Sequence, residues 1–362
     1  MTKRTLVTLA IVCGSSISAA AQGKFGKWLQ TENDTAYIED HTEDITFRLY
    51  GSRKYTSYDI IDRKQKKDIL YRPNTPFNIG VGANYRFIGI NLGFNFPFIN
   101  RHNERFGNTR YIDLQSHIYL RKLVVDFYGQ SYKGYYIANP EKVFGKEYAR
   151  QNPYPQRPDI RNRGLGLNVQ YIFNDKRFSY RAPNLQNEYQ KKSAGSFIVG
   201  GEFFLANIKG DSSLVPYNIA DTTFLREQHY YKSGIASLAA NIGYAHTFVY
   251  RQHFFLSISV TTGLGAAKTG LHYDDGSVSH SVGLQFSNTI RASLGYNSSR
   301  YFAGVHYVGM TTRSKMPEAH TYQAFGTGNL RVSLVRRFTL KKPLWRTRSI
   351  TREAAAAPTA DL

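Results

Sequence analysis

The chain has 362 residues, with 47 Lys and Arg against 26 Asp and Glu, for a net charge of +21. One cysteine, Cys13, excludes a disulfide scaffold, and past the first twenty residues no run of about 18 apolar residues could cross a membrane as a helix. Mean hydropathy is −0.43, which fits a soluble protein or a barrel whose strands are apolar on one face only.

In chain order, Lys3 and Arg4 form a positive start, Thr5 to Ser18 a short apolar stretch, and Ala19, Ala20 and Ala21 a small-residue cleavage site before Gln22. That pattern predicts a cleaved signal peptide over 1–21. Cys13 falls inside it, and Val12 is a poor residue before an acylated cysteine, so lipidation is not expected. The mature chain keeps a charge of +19 once Lys3 and Arg4 are removed. So basic a chain would ordinarily suggest nucleic acid. Export sets that partner aside and leaves outer-membrane lipid, with anionic, phosphorylated surface glycolipid as the expected charged partner.

Residues 22–44 read as a periplasmic N-terminal segment. Twelve segments then alternate like strands: 45–58, 77–86, 88–98, 110–120, 123–133, 162–173, 196–208, 235–250, 254–267, 281–297, 301–311 and 326–338. The clearest are Ala236, Leu238, Ala240, Ile242, Tyr244; then Phe254, Leu256, Ile258, Val260, Leu264; then Val282, Leu284, Phe286, Ile290, Ala292, Leu294, Tyr296. Period two means one apolar and one polar face. Runs of about 14 residues exceed the usual ~5–6 of a globular strand and suit a tilted bilayer crossing, which needs ~9–11. A soluble β-sandwich would use shorter strands with turns every 8–12 residues.

The joins carry independent information. Those at Arg86–Gly89, Arg121–Lys122, Arg251–His253 and Ser298–Arg300 are short, and those at 60–76, 99–109, 134–161, 209–234, 268–280 and 312–325 are long. Outer-membrane barrels have short periplasmic turns and longer external loops. With the N-terminus in the periplasm, odd strands run outward into long loops. The fold expected is an all-β, antiparallel transmembrane β-barrel of about 12 strands over 45–338, in the outer membrane of a Gram-negative bacterium. One join breaks the rule: 174–195 falls on the periplasmic side but holds over twenty residues. It is read as a periplasmic insert, a segment folded into the lumen, or a long turn extending its neighbours. Residues 339–362 form a basic, then Ala-rich, C-terminal tail.

Several stretches resemble a known family. They are Asp34-Thr35-Ala36-Tyr37-Ile38, Arg48-Leu49-Tyr50, Ser52-Arg53-Lys54-Tyr55, Tyr71-Arg72-Pro73-Asn74 and Gly80-Val81-Gly82-Ala83-Asn84-Tyr85. Phe178-Ser179-Tyr180-Arg181 and Gln190-Lys191-Lys192-Ser193-Ala194-Gly195-Ser196-Phe197 complete the set. Over roughly residues 28–338 the chain resembles the domain of unknown function 4421 family of Gram-negative bacteria. The resemblance implies an outer-membrane location and no particular activity.

By alternation the lumen face carries Arg48, Asp113, His117, Asp126, Glu202, Arg291 and Arg331, with Tyr50, Asn91, Asn95, Gln115, Asn168, Gln170, Asn241 and Gln285. Charges of both signs in a narrow barrel pair across it and fill it; otherwise they ring a small hydrophilic channel. Asp113 and His117 lie about 13 Å apart along one strand, too far for a catalytic dyad, and no metal site or cofactor is indicated.

On the lipid face the polar exceptions are Ser116, His246, Thr262 and Asn288. Thr262 and Asn288 lie at similar depth on neighbouring strands and could share a hydrogen bond or mark a barrel–barrel contact; no triad forms from the set. Gly210-Asp211-Ser212-Ser213-Leu214 imitates a lipase nucleophile motif with one residue too many, in a loop rather than at a strand-to-helix turn.

Loops 60–76, 99–110 and 133–161 hold fourteen Lys and Arg against six Asp and Glu. Here Tyr148, Arg150, Tyr154, Arg157 and Arg161 are candidates for gripping an anionic glycolipid or acidic solute, against the alternative of a solvated basic surface. The expected function is a monomeric structural barrel or a narrow porin-like channel for small polar solutes. The alternative is an envelope lipid- or glycolipid-modifying enzyme.

Overall fold

The computed structural model describes residues 32–85, 88–96, 99, 103–219 and 229–340. The signal peptide expected over 1–21 and the tail beyond residue 340 lie outside the described residues.

Among the described residues fifteen strands follow in order: β1 (Ile38–Asp40), β2 (Ile45–Asp62), β3 (Lys67–Arg72), β4 (Phe77–Tyr85), β5 (Ile88–Asn95), β6 (Arg110–Tyr119), β7 (Leu123–Ile137) and β8 (Gln156–Ile172). Then come β9 (Glu188–Gln190), β10 (Ala194–Lys209), β11 (Tyr230–Tyr250), β12 (Phe254–Tyr273), β13 (Val278–Asn297), β14 (Tyr301–Lys315) and β15 (Thr321–Phe338). Among the described residues four short helices lie between them: α1 (Asn103–Phe106), α2 (Pro140–Phe144), α3 (Lys146–Gln151) and α4 (Arg181–Asn184).

The sheet closes on itself. The path β2-β15-β14-β13-β12-β11-β10-β8-β7-β3 returns to β2 and makes an antiparallel ring of ten strands. Three more strands attach beside that path: β4 on the first half of β2, β5 on β4, and β6 on β7. All twelve segments read from alternation are strands, yet twelve is not the count of the closed ring. The reason is β3, read from sequence as part of a long loop. Asp62 Oδ1 accepts the backbone N–H groups of Lys64 (2.9 Å) and Gln65 (3.0 Å), turning the chain back. β3 then zips onto the end of β2 and reaches β7 through Tyr71↔Ile137 and Arg72↔Tyr136. Among the described residues no ladder joins β5 to β6.

The wall is inverted relative to a soluble barrel. On β12, Phe254, Leu256, Ile258, Val260 and Leu264 are exposed outward while Phe255, Ser257, Ser259 and Thr261 are buried inward. The same outward apolar series continues on β8, β11, β13 and β15 (Leu167, Ile242, Leu284, Leu334). An encircling exposed apolar surface of this extent far exceeds the few hundred Å² that a monomer in water tolerates.

Inside, three layers fill the barrel. Toward the end bearing the long joins, the loop end, lies an apolar core of Tyr58, Ile69, Tyr71, Tyr230 and Phe325, capped by Leu214 and Val215 from the β10–β11 join. Strands β7, β8, β11, β12, β14 and β15 run further toward this end than their alternation indicated, because their inward residues pack this core. The middle layer is polar. At the opposite, turn end, residues 178–190 fold against the inner wall, and β9 pairs with β1 in a separate two-stranded sheet. Phe178 and Tyr180 join Tyr119, Val124, Ile172 and Ile198 in a second apolar cluster.

Candidate functional site

The middle layer is a hydrogen-bonded network built from inward positions of most of the strands between β6 and β13. Asp126 on β7 is fully buried, and its carboxylate accepts from three side chains: His117 Nδ1 (2.7 Å), Arg291 Nη2, and Asn168 Nδ2 (3.4 Å). The Arg291 guanidinium also donates to Gln170 Oε1 at 3.4 Å and lies over the Tyr180 ring at 5.9 Å. Gln170 in turn donates to Asn241 Oδ1 (3.2 Å) and Thr261 Oγ1 (3.3 Å), and Asn241 donates to Asn168 at 2.9 Å. Glu202 receives Gln285 Nε2 at 2.8 Å. Low dielectric strengthens each bond and penalises any group left out.

Toward the loop end, Asp113 accepts from the Tyr132 hydroxyl, Gln115 (3.2 Å) and Gln130 (3.3 Å), with Lys54 Nζ at 3.6 Å. Gln115 and Gln130 both reach Thr327 on β15 (3.3 and 2.7 Å), so side chains of β6 and β7 bridge inside the barrel to a strand three places round the ring from β7. The small void beside them, between Tyr128, Gln130, Thr312 and Phe325, measures about 10 Å³. That is the room one water needs.

Arg48 and Arg331, the remaining lumen candidates, serve the turn-end segment. The last carbonyls of a helix have no intrahelical partner. Here Asn184 O receives Arg331 Nη2 (3.1 Å), Leu185 O receives Arg48 Nη2 (3.1 Å), and Gln186 O receives Arg337 Nε (2.7 Å). Arg337 also donates to Glu188 O, Ser298 O and Asn297 Oδ1. The Glu188 carboxylate is fully buried between Arg121 (2.9 Å) and Arg181 (3.1 Å), with the Ser179 hydroxyl at 2.5 Å. Wall and segment are thus joined by buried charge-assisted bonds, the stronger kind.

Sequence reasoning placed Asp126, His117 and Arg291 on one face but did not pair them. His117↔Asp126 was within reach of the sequence, because the tight Arg121–Lys122 turn sets the β6–β7 register that makes them opposite neighbours. Glu188, Arg121, Arg181 and Arg337 were missed, since nothing local says that 178–190 turns inward. Among the described residues no cluster of three or more His, Cys, Asp or Glu could hold a metal ion.

The loop candidates scatter. Arg157 lies on β8, half-buried, clamped on Asp159 by two bonds (2.9 and 2.7 Å) and donating to Ser212 and Ser213 carbonyls. It pins the β10–β11 join and is not a free anion grip, which corrects the expectation from its loop position. The same contacts occupy the lipase-like stretch, whose Leu214 is buried in the loop-end core. Tyr154 accepts from Arg105 Nη2 at 3.0 Å and packs on Phe106 and Tyr136. Tyr148 packs on Phe144, and Arg150 is exposed on α3 near Glu147 (3.7 Å). Arg161 belongs to the outward face of β8 rather than to a loop.

On the outer wall Thr262 and Asn288 are register partners, and the Thr262 hydroxyl donates to Asn288 Oδ1 at 3.0 Å. Exposed Thr311 lies next to Asn288 on β14 and extends the polar row to three strands, a neighbour the sequence reading missed. His246 packs between Tyr244 and Phe248, away from both.

Comparison with solved structures finds barrels of low similarity. The outer membrane protease OmpT from Escherichia coli is 9% identical, with 83% of this chain and 98% of that chain covered and a TM-score of 0.36. The translocator domain of autotransporter NalP from Neisseria meningitidis is 8% identical over 93% and 98% (TM-score 0.29). The Pseudomonas putida toluene transporter TodX is 8% identical over 86% and 95% (TM-score 0.24). No curated protein matches the chain. The family model described as Domain of unknown function (DUF4421) matches residues 32–338, and the chain belongs to that family.

Proposed function

We propose that this protein is a structural outer-membrane β-barrel of a Gram-negative envelope, closed at rest rather than an open pore. The observation that carries the membrane reading is the encircling outward belt of large apolar side chains over a polar, hydrogen-bonded interior. In water that belt would drive aggregation; in lipid it is the solvated face, and the ring of ten strands closes on itself through β3 at the loop end. The short joins support a periplasmic turn end and the long joins an external loop end.

The filled interior supports the closed reading over a porin-like channel. An ion entering from outside meets the apolar core around Tyr71 and Leu214, then the Asp126–Arg291 network, then the segment held by Arg48, Arg331 and Arg337. Each barrier consists of different residues, so opening one leaves two. The catalytic alternative gains no support from the described residues: the Asp126 carboxylate is committed to Arg291 and His117, and no serine or threonine hydroxyl bonds either Asp126 or His117. The test has two parts. The full chain should stay with membranes through alkaline extraction and run faster on a gel unheated than boiled. Reconstituted in planar bilayers, it should add no conductance at about ±100 mV, a potential worth ~2.3 kcal/mol per charge. Release into the soluble fraction would overturn the membrane reading, and steady single-channel steps would overturn the closed reading.

A further inference from the structure

One outward feature is not used by the barrel itself. Near the loop end, hydrogen-bond register aligns a cationic side chain on each of four adjacent strands and a histidine on the fifth. Lys133 of β7 opposes Arg161 of β8, Arg161 opposes Lys209 of β10, Lys209 opposes Lys232 of β11, and Lys232 opposes His272 of β12. Alternation turns all five outward, with Lys133, Arg161 and Lys209 exposed. At ~4.8 Å per strand the row covers about 19 Å of wall. Like charges directly opposite each other on paired strands are destabilising. Among the described residues none of the five forms an ion pair. Lys133, Arg161 and Lys209 share a cleft with Arg163 and with two acids, Asp159 and Asp211, of which Asp159 is committed to Arg157.

Beneath the row the wall is scooped out. Gly234 and Gly270 carry no side chains to fill it, and the resulting groove of about 510 Å³ is lined by Arg163, Lys232, His272 and His280 over Leu165 and Ala236. Directly below lies the apolar belt, here Leu238, Leu264, Val282 and Leu284. Lys209 Nζ sits 5.6 Å over the Tyr231 ring, which keeps its ammonium on the wall. The groove is therefore cationic at its upper edge, apolar on its floor, and continuous with the lipid-facing surface.

We propose that this groove, together with the cleft beside it that Arg161 and Lys209 line, binds a phosphorylated glycolipid of the outer leaflet, with phosphates on Arg161, Arg163, Lys209 and Lys232 and acyl chains on the apolar wall below. A free anion would use the cations alone and leave the apolar floor bare. A neutral lipid would use the floor and leave the charge repulsion standing. A lipid with an anionic head uses both, and bridging phosphate turns the repulsion into attraction. The inference rests on the reading of the wall as lipid-facing, and it moves the expected glycolipid contact from the loop apices to the barrel wall.

The test uses the full chain in detergent, titrated with a diphosphorylated acylated disaccharide, with the same lipid stripped of its phosphates, and with inorganic phosphate, read by native mass spectrometry. The diphosphorylated lipid should bind at least tenfold more tightly than the stripped one, and millimolar inorganic phosphate should not displace it. The variant R161Q/K209Q/K232Q should lose at least tenfold, the charge-retaining K209R/K232R should keep binding, and the loop-apex K146Q/R150Q should match the parent. All variants must keep the unheated fast gel mobility that marks the folded barrel. Equal binding by the parent and the triple Gln variant overturns the proposal, as does equal binding of stripped and phosphorylated lipid or displacement by inorganic phosphate. If the parent stays membrane-bound yet shows no phosphate preference, this inference falls and the barrel reading stands. If the parent leaves the membrane, both fall.

Discussion

Replacing Asp126 by Asn tests the central network most directly. The substitution keeps the shape but removes the charge from a fully buried site whose partner, Arg291, is itself 3% exposed. The amide introduced by D126N has one oxygen where the carboxylate had two. It can accept from Arg291 or from His117, and its NH₂ group then points at the donor left over. Removing one partner of a buried ion pair typically costs about 3–5 kcal/mol, because the other charge stays buried and unpaired. Arg291→Met should cost less than D126N, since His117 at 2.7 Å remains to donate to Asp126. The double variant removes both charges and should be more stable than D126N alone, giving a coupling of about 2–4 kcal/mol. Guanidinium unfolding in lipid vesicles followed by far-UV circular dichroism reads this. A D126N cost under about 1 kcal/mol, or a double variant whose loss equals the sum of the singles, would refute the idea that this pair organises the interior.

Other outcomes follow from the same contacts. Replacing 178–190 by a short Gly-Ser linker should leave the barrel non-conducting, because the Tyr71–Leu214 core at the loop end is untouched; channel activity in that deletion would show that the turn-end segment is the main seal. Glu188→Ala should strand Arg121 and Arg181 and expose the segment to added protease at the turn end, while the conservative E188Q should be intermediate; equal protection in all three would remove the ion triad from the account. Arg157→Gln should free the β10–β11 join at a local cost of about 1.5–3 kcal/mol, seen as faster cleavage near Asp211, whereas Arg150→Gln should change nothing in that assay. Cysteines at 262 and 288 should crosslink two barrels if the Thr262–Asn288–Thr311 row is a contact face; monomers alone in native membranes would end that reading.

Much of this architecture is local and therefore legible in residue order. Whether a residue faces in or out follows from period two, so Phe254 to Leu264 and their polar neighbours could be sorted without knowing what they touch. Loop-length parity orders the strands for the same reason, since a short turn can join only adjacent antiparallel neighbours. What alternation cannot supply is distance around the ring. Asp126 and Arg291 are 165 positions apart and meet because the closed barrel brings β7 opposite β13. β3 closes the ring with six residues whose alternation is too short to read, and 178–190 turns inward because arginines from β2 and β15 bond its carbonyls. The outward cations show the division best. Each of Lys133, Arg161, Lys209 and Lys232 is, in the sequence, one basic residue near a loop. Register alone lines them up, and register is set by hydrogen bonding between successive strands whose long joins leave the offset open in residue order.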